Sequence, residues 1–285
     1  MKFCDIHIRD PFILPDGGRY YLYGSRGGET WGRCTGLDVY VSDDLENWSE
    51  PTECFTPPAG FWSEKNFWAP EVHLYRGRYY MFASFISDTR NRGTQILAAD
   101  SPMGPFEPHS DGPVTPEEWM CLDGTLYVDE KNTPYMIFCH EWVQVKDGEM
   151  CAVELTPDLR APVGEPFLLF RASQLPGVRE LESKDYVTDG PFMYRMESGK
   201  LLMIWSSFGA EGYLEAMAES EDNTLRGKWV NHEELLFSKD GGHGMIFRAY
   251  DGRLMFVCHS PNQPPHERPK MVEICEEGGL LKVKE

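Results

Sequence analysis

The stretch HIRDPFILPDGGRYYLYGS, His7 to Ser25, sets a charged Arg9-Asp10 pair against apolar Pro11-Phe12-Ile13 and closes with a glycine turn and an aromatic run. Its second half recurs along the chain. Five segments join a turn residue to a strand-like apolar run: GRYYLYG from Gly18, GRYYMFA from Gly77, NTPYMIF from Asn132, GKLLMIW from Gly199 and GRLMFVC from Gly252. Their first residues stand 59, 55, 67 and 53 positions apart. Aromatic and aliphatic runs of this length, entered through Gly or Asn, read as strands. A second short strand ending in a polar turn follows each: DVYVSDDLENW from Asp38, ILAADSPMGPF from Ile96, AVELTPDLRAP from Ala152, EAMAESEDNTLRGKW from Glu215 and MVEICEEGGLLKVKE from Met271. No segment carries a long helical period between caps. Five units of one internal order, each with about four strands, predict an all-β, five-bladed β-propeller rather than two stacked sheets. No long linker divides the chain, so a single domain over residues 1–285 is expected.

Composition narrows the partners. The chain has 285 residues, 41% of them hydrophobic and 13% aromatic, enough for a packed core. A formal net charge of -19 repels nucleic acid and anionic membranes, so neither is an expected partner. No stretch approaches a membrane span, and MKFCDIHIRD lacks the apolar run of a signal peptide, so the expected location is cytoplasmic. Eight cysteines are scattered singly, without CxxC or zinc-type spacing, and read as reduced thiols.

The charged pair at the start of the first unit also has counterparts. Just upstream of the five turns lie RDPFI with Asp10, APEVH with Glu71, LDGTL with Asp123, TDGPF with Asp189 and GHGMI with His243. In a propeller the first strand of each blade lines the central channel, so these five polar groups, four of them acidic, are expected in one funnel. A single Asp at a strand end is more often a turn-capping residue. Five in register are harder to explain that way, because crowded carboxylates repel one another and cost stability. Opposed carboxylates around a channel suit glycoside hydrolysis, one acid protonating the leaving oxygen and one base activating water. Nearby aromatic residues, Phe67 and Trp68 before Glu71, Trp142 after Glu141, and Trp205 with Phe208, are candidate surfaces for stacking sugar rings of an oligosaccharide.

Taken in order, RDPFI with YYLYGS, FWAPEVHLYRGRYYMF, LDGTLYVDE, TDGPFMYR and GGHGMIFR resemble the blade-start motifs of glycoside hydrolase family 43, the five-bladed propeller enzymes of arabinan and xylan breakdown. The resemblance runs from about Ile8 to Arg268. It implies that Asp10 is the general base of an inverting mechanism and that Asp123 orients the acid and raises its pKa. The fourth motif of the family reads Glu-Gly-Pro and supplies the general acid, whereas this chain has Thr188-Asp189-Gly190-Pro191. Asp189 is then an acid set back by one methylene, roughly 1 to 1.5 Å. Glu141, in CHEWVQ, is the second candidate for that role, and otherwise a ligand-binding carboxylate beside His140. The resemblance places His243 near the axis and implies a structural calcium or other ion there, with no cofactor required for the chemistry. Arg268, in HSPNQPPHERPKM, is a cation available to neutralise the acidic funnel. The expectation is an inverting hydrolase of arabinose- or xylose-containing oligosaccharides, of α-L-arabinofuranosidase or β-xylosidase type. A non-catalytic sugar-binding propeller and a glycoside phosphorylase on a related propeller are its rivals.

Overall fold

The turn residues set the strand boundaries. Gly18, Gly77, Asn132, Gly199 and Gly252 take φ of 84°, 81°, 62°, 89° and 90°, the left-handed region that Gly and Asn enter at least cost. In the computed structural model, which describes residues 1–284, each of them joins the first and second strands of a four-stranded antiparallel sheet. The first blade holds β1 (Ile8–Asp16), β2 (Arg19–Arg26), β3 (Leu37–Ser42) and β4 (Thr52–Phe55). The second holds β5 (Lys65–Tyr75), β6 (Arg78–Ile86), β7 (Gly93–Ala99) and β8 (Glu107–Pro113). The third holds β9 (Cys121–Val128), β10 (Pro134–His140), β11 (Glu149–Leu155) and β12 (Pro162–Arg171), with a one-turn helix α1 (Trp142–Val145) between β10 and β11. β13 (Asp189–Arg195), β14 (Leu201–Gly209), β15 (Gly212–Ser220) and β16 (Trp229–Asn231) form the fourth blade. β17 (Gly242–Arg248), β18 (Leu254–Ser260), β19 (Arg268–Glu277) and β20 (Leu280–Val283) form the fifth. The fold is an all-β, five-bladed propeller, as the repeat predicts.

Every blade is a meander of four consecutive strands, so no strand is shared across the seam between the first and last blades. Side chains close the ring instead. Tyr20 packs edge-on against Phe247 at 6.1 Å, the Tyr250 backbone N–H donates to the Tyr20 hydroxyl at 2.8 Å, and the Gly18 N–H donates to the Tyr250 hydroxyl at 3.0 Å.

Each inner strand carries a bulge at an equivalent point, and β5 has a second irregularity between Lys65 and Trp68. Asp10, Ala69, Asp123, Gly190 and His243 have φ of 53°, 48°, 58°, 49° and 51°, and the pairing of first and second strands shifts register at each of these points. Four of the five are not glycine, and such backbone typically costs about 1–3 kcal/mol per residue. The return is a sharp turn of each strand toward the axis. Gly190 is the exception for a steric reason: a Cβ there would lie 2.8 Å from the His243 ring. The bulges also correct the sequence alignment of the blades. Asp10-Pro11 corresponds to Ala69-Pro70, so Glu71 stands two residues past its blade's bulge, and Asp189 stands one residue before Gly190.

The core lies between adjacent blades. Phe67 packs among Phe55, Phe61 and Phe85, and Trp205 packs on Phe170 with its Nε1–H donating to Asn231 Oδ1 at 2.9 Å. Both are fully buried, which overturns their expected role as sugar platforms. Trp205→Ala is therefore expected to lower stability by about 3–5 kcal/mol in urea unfolding, while the affinity of the folded fraction for sugar stays unchanged.

Candidate active site

Three of the bulge residues, Asp10, Asp123 and His243, and the residues just before the other two, Trp68 and Asp189, line a cavity of about 430 Å³. Asp10 stands in its wall. Ser25 donates its hydroxyl to Asp10 Oδ2 at 2.5 Å, His243 Nδ1 lies 3.3 Å from Oδ1, and the Asp10 backbone N–H donates to His259 Nδ1 at 3.2 Å. Burial alone pushes this carboxyl up, but His243, Arg9 and the Ser25 hydroxyl outweigh it and hold Asp10 below its ordinary value. Because His259 Nδ1 accepts that N–H, the ring carries its proton on Nε2, which donates to Asn262 Oδ1 at 3.0 Å. Burial and the nearby Arg9 push His259 down to about 3, so its ring is neutral at neutral pH.

The other two carboxyls shift the opposite way. Asp123 Oδ2 accepts the Gly190 N–H at 3.0 Å and lies 3.6 Å from the same His243 Nδ1. Burial, then the charge on Asp10, raises Asp123 well above its ordinary value. Asp189 Oδ2 accepts the Tyr213 hydroxyl at 2.9 Å, and burial with the neighbouring Asp123 raises Asp189 to about 8. The same cavity thus holds one carboxyl held low and two raised, Asp189 far enough to keep its proton at neutral pH, the division of labour that acid–base chemistry requires.

A family model for glycosyl hydrolases family 43 matches residues 4–276. The chain belongs to that family. The crystal structure of an endo-arabinase from Bacteroides thetaiotaomicron VPI-5482 superposes with a TM-score of 0.92 at 41% identity, covering 98% of both chains. A thermostable family-43 glycoside hydrolase superposes with a TM-score of 0.84 at 25% identity, covering 98% of this chain and 93% of the other. Among curated proteins, the extracellular endo-α-(1→5)-L-arabinanase 1 of Bacillus subtilis (strain 168) is 28% identical over 149 residues, 49% of this chain and 45% of the relative. The exo-α-(1→5)-L-arabinofuranosidase ArbA of Cellvibrio japonicus (strain Ueda107), also extracellular, is 23% identical over 178 residues, 56% and 46% of the respective chains. The aligned regions span less than half the length of these curated relatives.

Within this family 43 site, Asp10, Asp123, Asp189, Trp68, Glu141 and His243 all line the cavity, as do Trp142 and Phe208. Five other expected residues do not. Glu71 is buried outside the cavity lining, with its Oε2 3.2 Å from His73 Nε2, in keeping with its position past the bulge. His140 is stacked on Trp119 at 4.2 Å and bonded to Glu149 and Gln144, so it supports the wall from behind. Arg268 donates to the Pro265 and Glu267 carbonyls and stays off the funnel; the cations that line it are Arg9 and Arg92. Phe67 and Trp205 are core residues, as described. Trp31, Arg92, Tyr213 and Asn262 are cavity residues that carry no motif in the sequence. Among the described residues no three His, Cys, Asp or Glu side chains converge as a metal site. An ion on His243 would have to complete its shell largely with water.

The raised Asp189 has a stability signature. Its unfolded value is 3.8 and its folded value about 8, so between those limits the native state holds a proton that the unfolded chain has released. Stability from this group is full below the unfolded pKa and is lost as pH rises through the folded one. Asp189→Asn, neutral at every pH, is expected to raise the melting temperature relative to wild type at pH 8, with the difference vanishing below about pH 4.

Proposed function

We propose that this chain is an inverting glycoside hydrolase that cleaves α-1,5-linked L-arabinan within the chain. The observation that carries the reading is the split between ionised Asp10 and protonated Asp189 in one cavity. Asp10 takes a proton from a water molecule, which attacks the anomeric carbon from the face opposite the leaving group. Asp189 gives its proton to the departing glycosidic oxygen. Asp123 raises Asp189 by its proximity and, through the Gly190 N–H, holds the backbone beside it. Tyr213 occupies Asp189 Oδ2, which leaves Oδ1 for the transferred proton. Burial raises both carboxyls, but Arg92, paired with Glu141 at 2.7 Å, offsets part of that rise, whereas Asp189 is raised to about 8 and is favoured as the acid.

Arabinan is supported by the named activities of the relatives: an endo-arabinase at 41% identity and an endo-arabinanase at 28%. That support favours an endo-acting arabinanase over the expected arabinofuranosidase or xylosidase type. Aromatic residues on several sides fit a chain that runs through: Trp31 and Trp68 from the first two blades, Trp142 and Phe208 from the third and fourth. Both lining cations are already matched by carboxylates, Arg9 by Glu267 at 3.5 Å and Arg92 by Glu141, which favours hydrolysis over phosphorolysis. The eight unpaired cysteines suit a reducing compartment.

With debranched arabinan as substrate, viscosity is expected to fall well before reducing ends accumulate, and proton NMR is expected to show the β-anomer as the first product. Asp10→Asn should lower kcat/KM by roughly 10²–10⁴-fold. Wild-type binding without turnover would establish the sugar-binding propeller instead. The rate should also decline on the alkaline side near pH 8, as Asp189 loses the proton it must donate, and on the acid side only below the usual carboxylate range, as Asp10 gains one.

A further inference from the structure

Arg92 enters the cavity from the segment before β7, and Glu141 from the residue after β10, so the two belong to adjacent blades. Arg92 Nε donates to Glu141 Oε1 at 2.7 Å, and the guanidinium lies flat over the Trp68 ring, its carbon 3.7 Å from the ring centroid. Trp68 is itself pinned, its Nε1–H donating to the Thr30 carbonyl at 2.6 Å and its ring meeting Trp31 edge-on at 5.1 Å. The guanidinium is thus fixed on one face and one edge. The Arg92 and Glu141 side chains are only 8% and 5% exposed.

In spite of this burial the pair is incompletely bonded. Arg92 Nη1 is buried with no hydrogen-bond partner, and among the described residues Glu141 Oε2 accepts no hydrogen bond. A buried, unpaired guanidinium nitrogen is costly, and orphaned polar groups in a cavity wall are the mark of a ligand not yet in place. The charges of Arg92 and Glu141 cancel, so an anionic group gains little here. The complement of a donor beside an acceptor is a neutral pair of groups that both accept and donate, which describes two adjacent hydroxyls of a sugar ring. Trp68 has spent a face on Arg92, so a sugar at this point meets the pair edge-on rather than stacking on that face.

We propose that Arg92 and Glu141 are a specificity-determining pair that reads two adjacent hydroxyls of the substrate sugar beside Asp123. The proposal rests on the hydrolase reading and adds a site to it. It separates sugars by the position of their hydroxyls, because a site built to bond a hydroxyl strongly rejects an analogue that lacks it.

The test uses linear α-1,5-linked arabinohexaose and 4-nitrophenyl α-L-arabinofuranoside. Arg92→Lys and Glu141→Gln are each expected to raise KM for arabinohexaose about tenfold with kcat changed less than about threefold, and the double variant to lose little more than either alone. An unchanged KM, or losses that simply add, overturns the proposal. So does a Glu141→Gln enzyme that fails on arabinohexaose yet spares the nitrophenyl arabinoside, because that pattern identifies Glu141 as the proton donor. Should either single variant fold poorly, Arg92→Met combined with Glu141→Leu removes the pair without stranding a buried charge, and calorimetric titration with arabinohexaose must then show the weakened binding. If wild type neither cleaves nor binds arabinohexaose, the arabinan assignment fails by itself. The same variants are then titrated with xylohexaose and a galactan oligosaccharide, and a Kd unchanged from wild type on whichever sugar binds overturns the pair.

Discussion

Asp10 keeps a negative charge although its side chain is buried in the cavity wall, and the rest of the site depends on that charge. The carboxylate is held by His243, Arg9 and Ser25, and its field in turn helps to raise Asp123, which raises Asp189. Three acids at such close quarters do not all ionise in the ordinary carboxylate range, so one held low displaces the others upward. The difference between base and acid therefore comes from placement rather than residue type. All three are aspartates.

That placement depends on the least regular part of the fold. The ring has no shared strand at its seam, and the last blade reaches the first through side chains and a few hydrogen bonds. One of those contacts is made by the neutral ring of His259, which accepts the Asp10 N–H and thereby braces the bulge that aims the carboxylate. Asn262 then links the same histidine to Arg9, whose Nη2 donates to its Oδ1 at 2.7 Å. The closure of the propeller and the pKa of the base are consequently one structural problem. The buried Glu267, with Arg9 and His7 both within ion-pair range, belongs to the same seam.

The cost of the site is visible in the backbone and in the acids. Asp10, Asp123 and His243 all sit at bulges with positive φ, and Asp189 holds its proton far above the ordinary carboxylate range. Neither feature stabilises a propeller. The blades tolerate both because the core between them is packed with large, fully buried apolar side chains such as Trp205, Phe67 and Phe256.

By itself the sequence determined the blade count, the turn at Gly or Asn in each blade, and the approach of Asp10, Asp123, Asp189 and His243 to one axis. These follow from local chemistry: left-handed turns select Gly and Asn, and strand runs select aromatic and aliphatic residues. Only the tertiary structure decided the register of each bulge, which moved Glu71 past the cavity, and the interior position of Phe67 and Trp205, whose spacing resembles that of surface aromatics. It also decided the recruitment of Arg92, Tyr213 and His259. These three act on groups supplied by other strands or blades: Arg92 on Glu141, Tyr213 on Asp189, His259 on Asp10. Long-range partners of this kind leave no period and no motif in the chain, because what selects them is a neighbour's charge or shape rather than a local conformation.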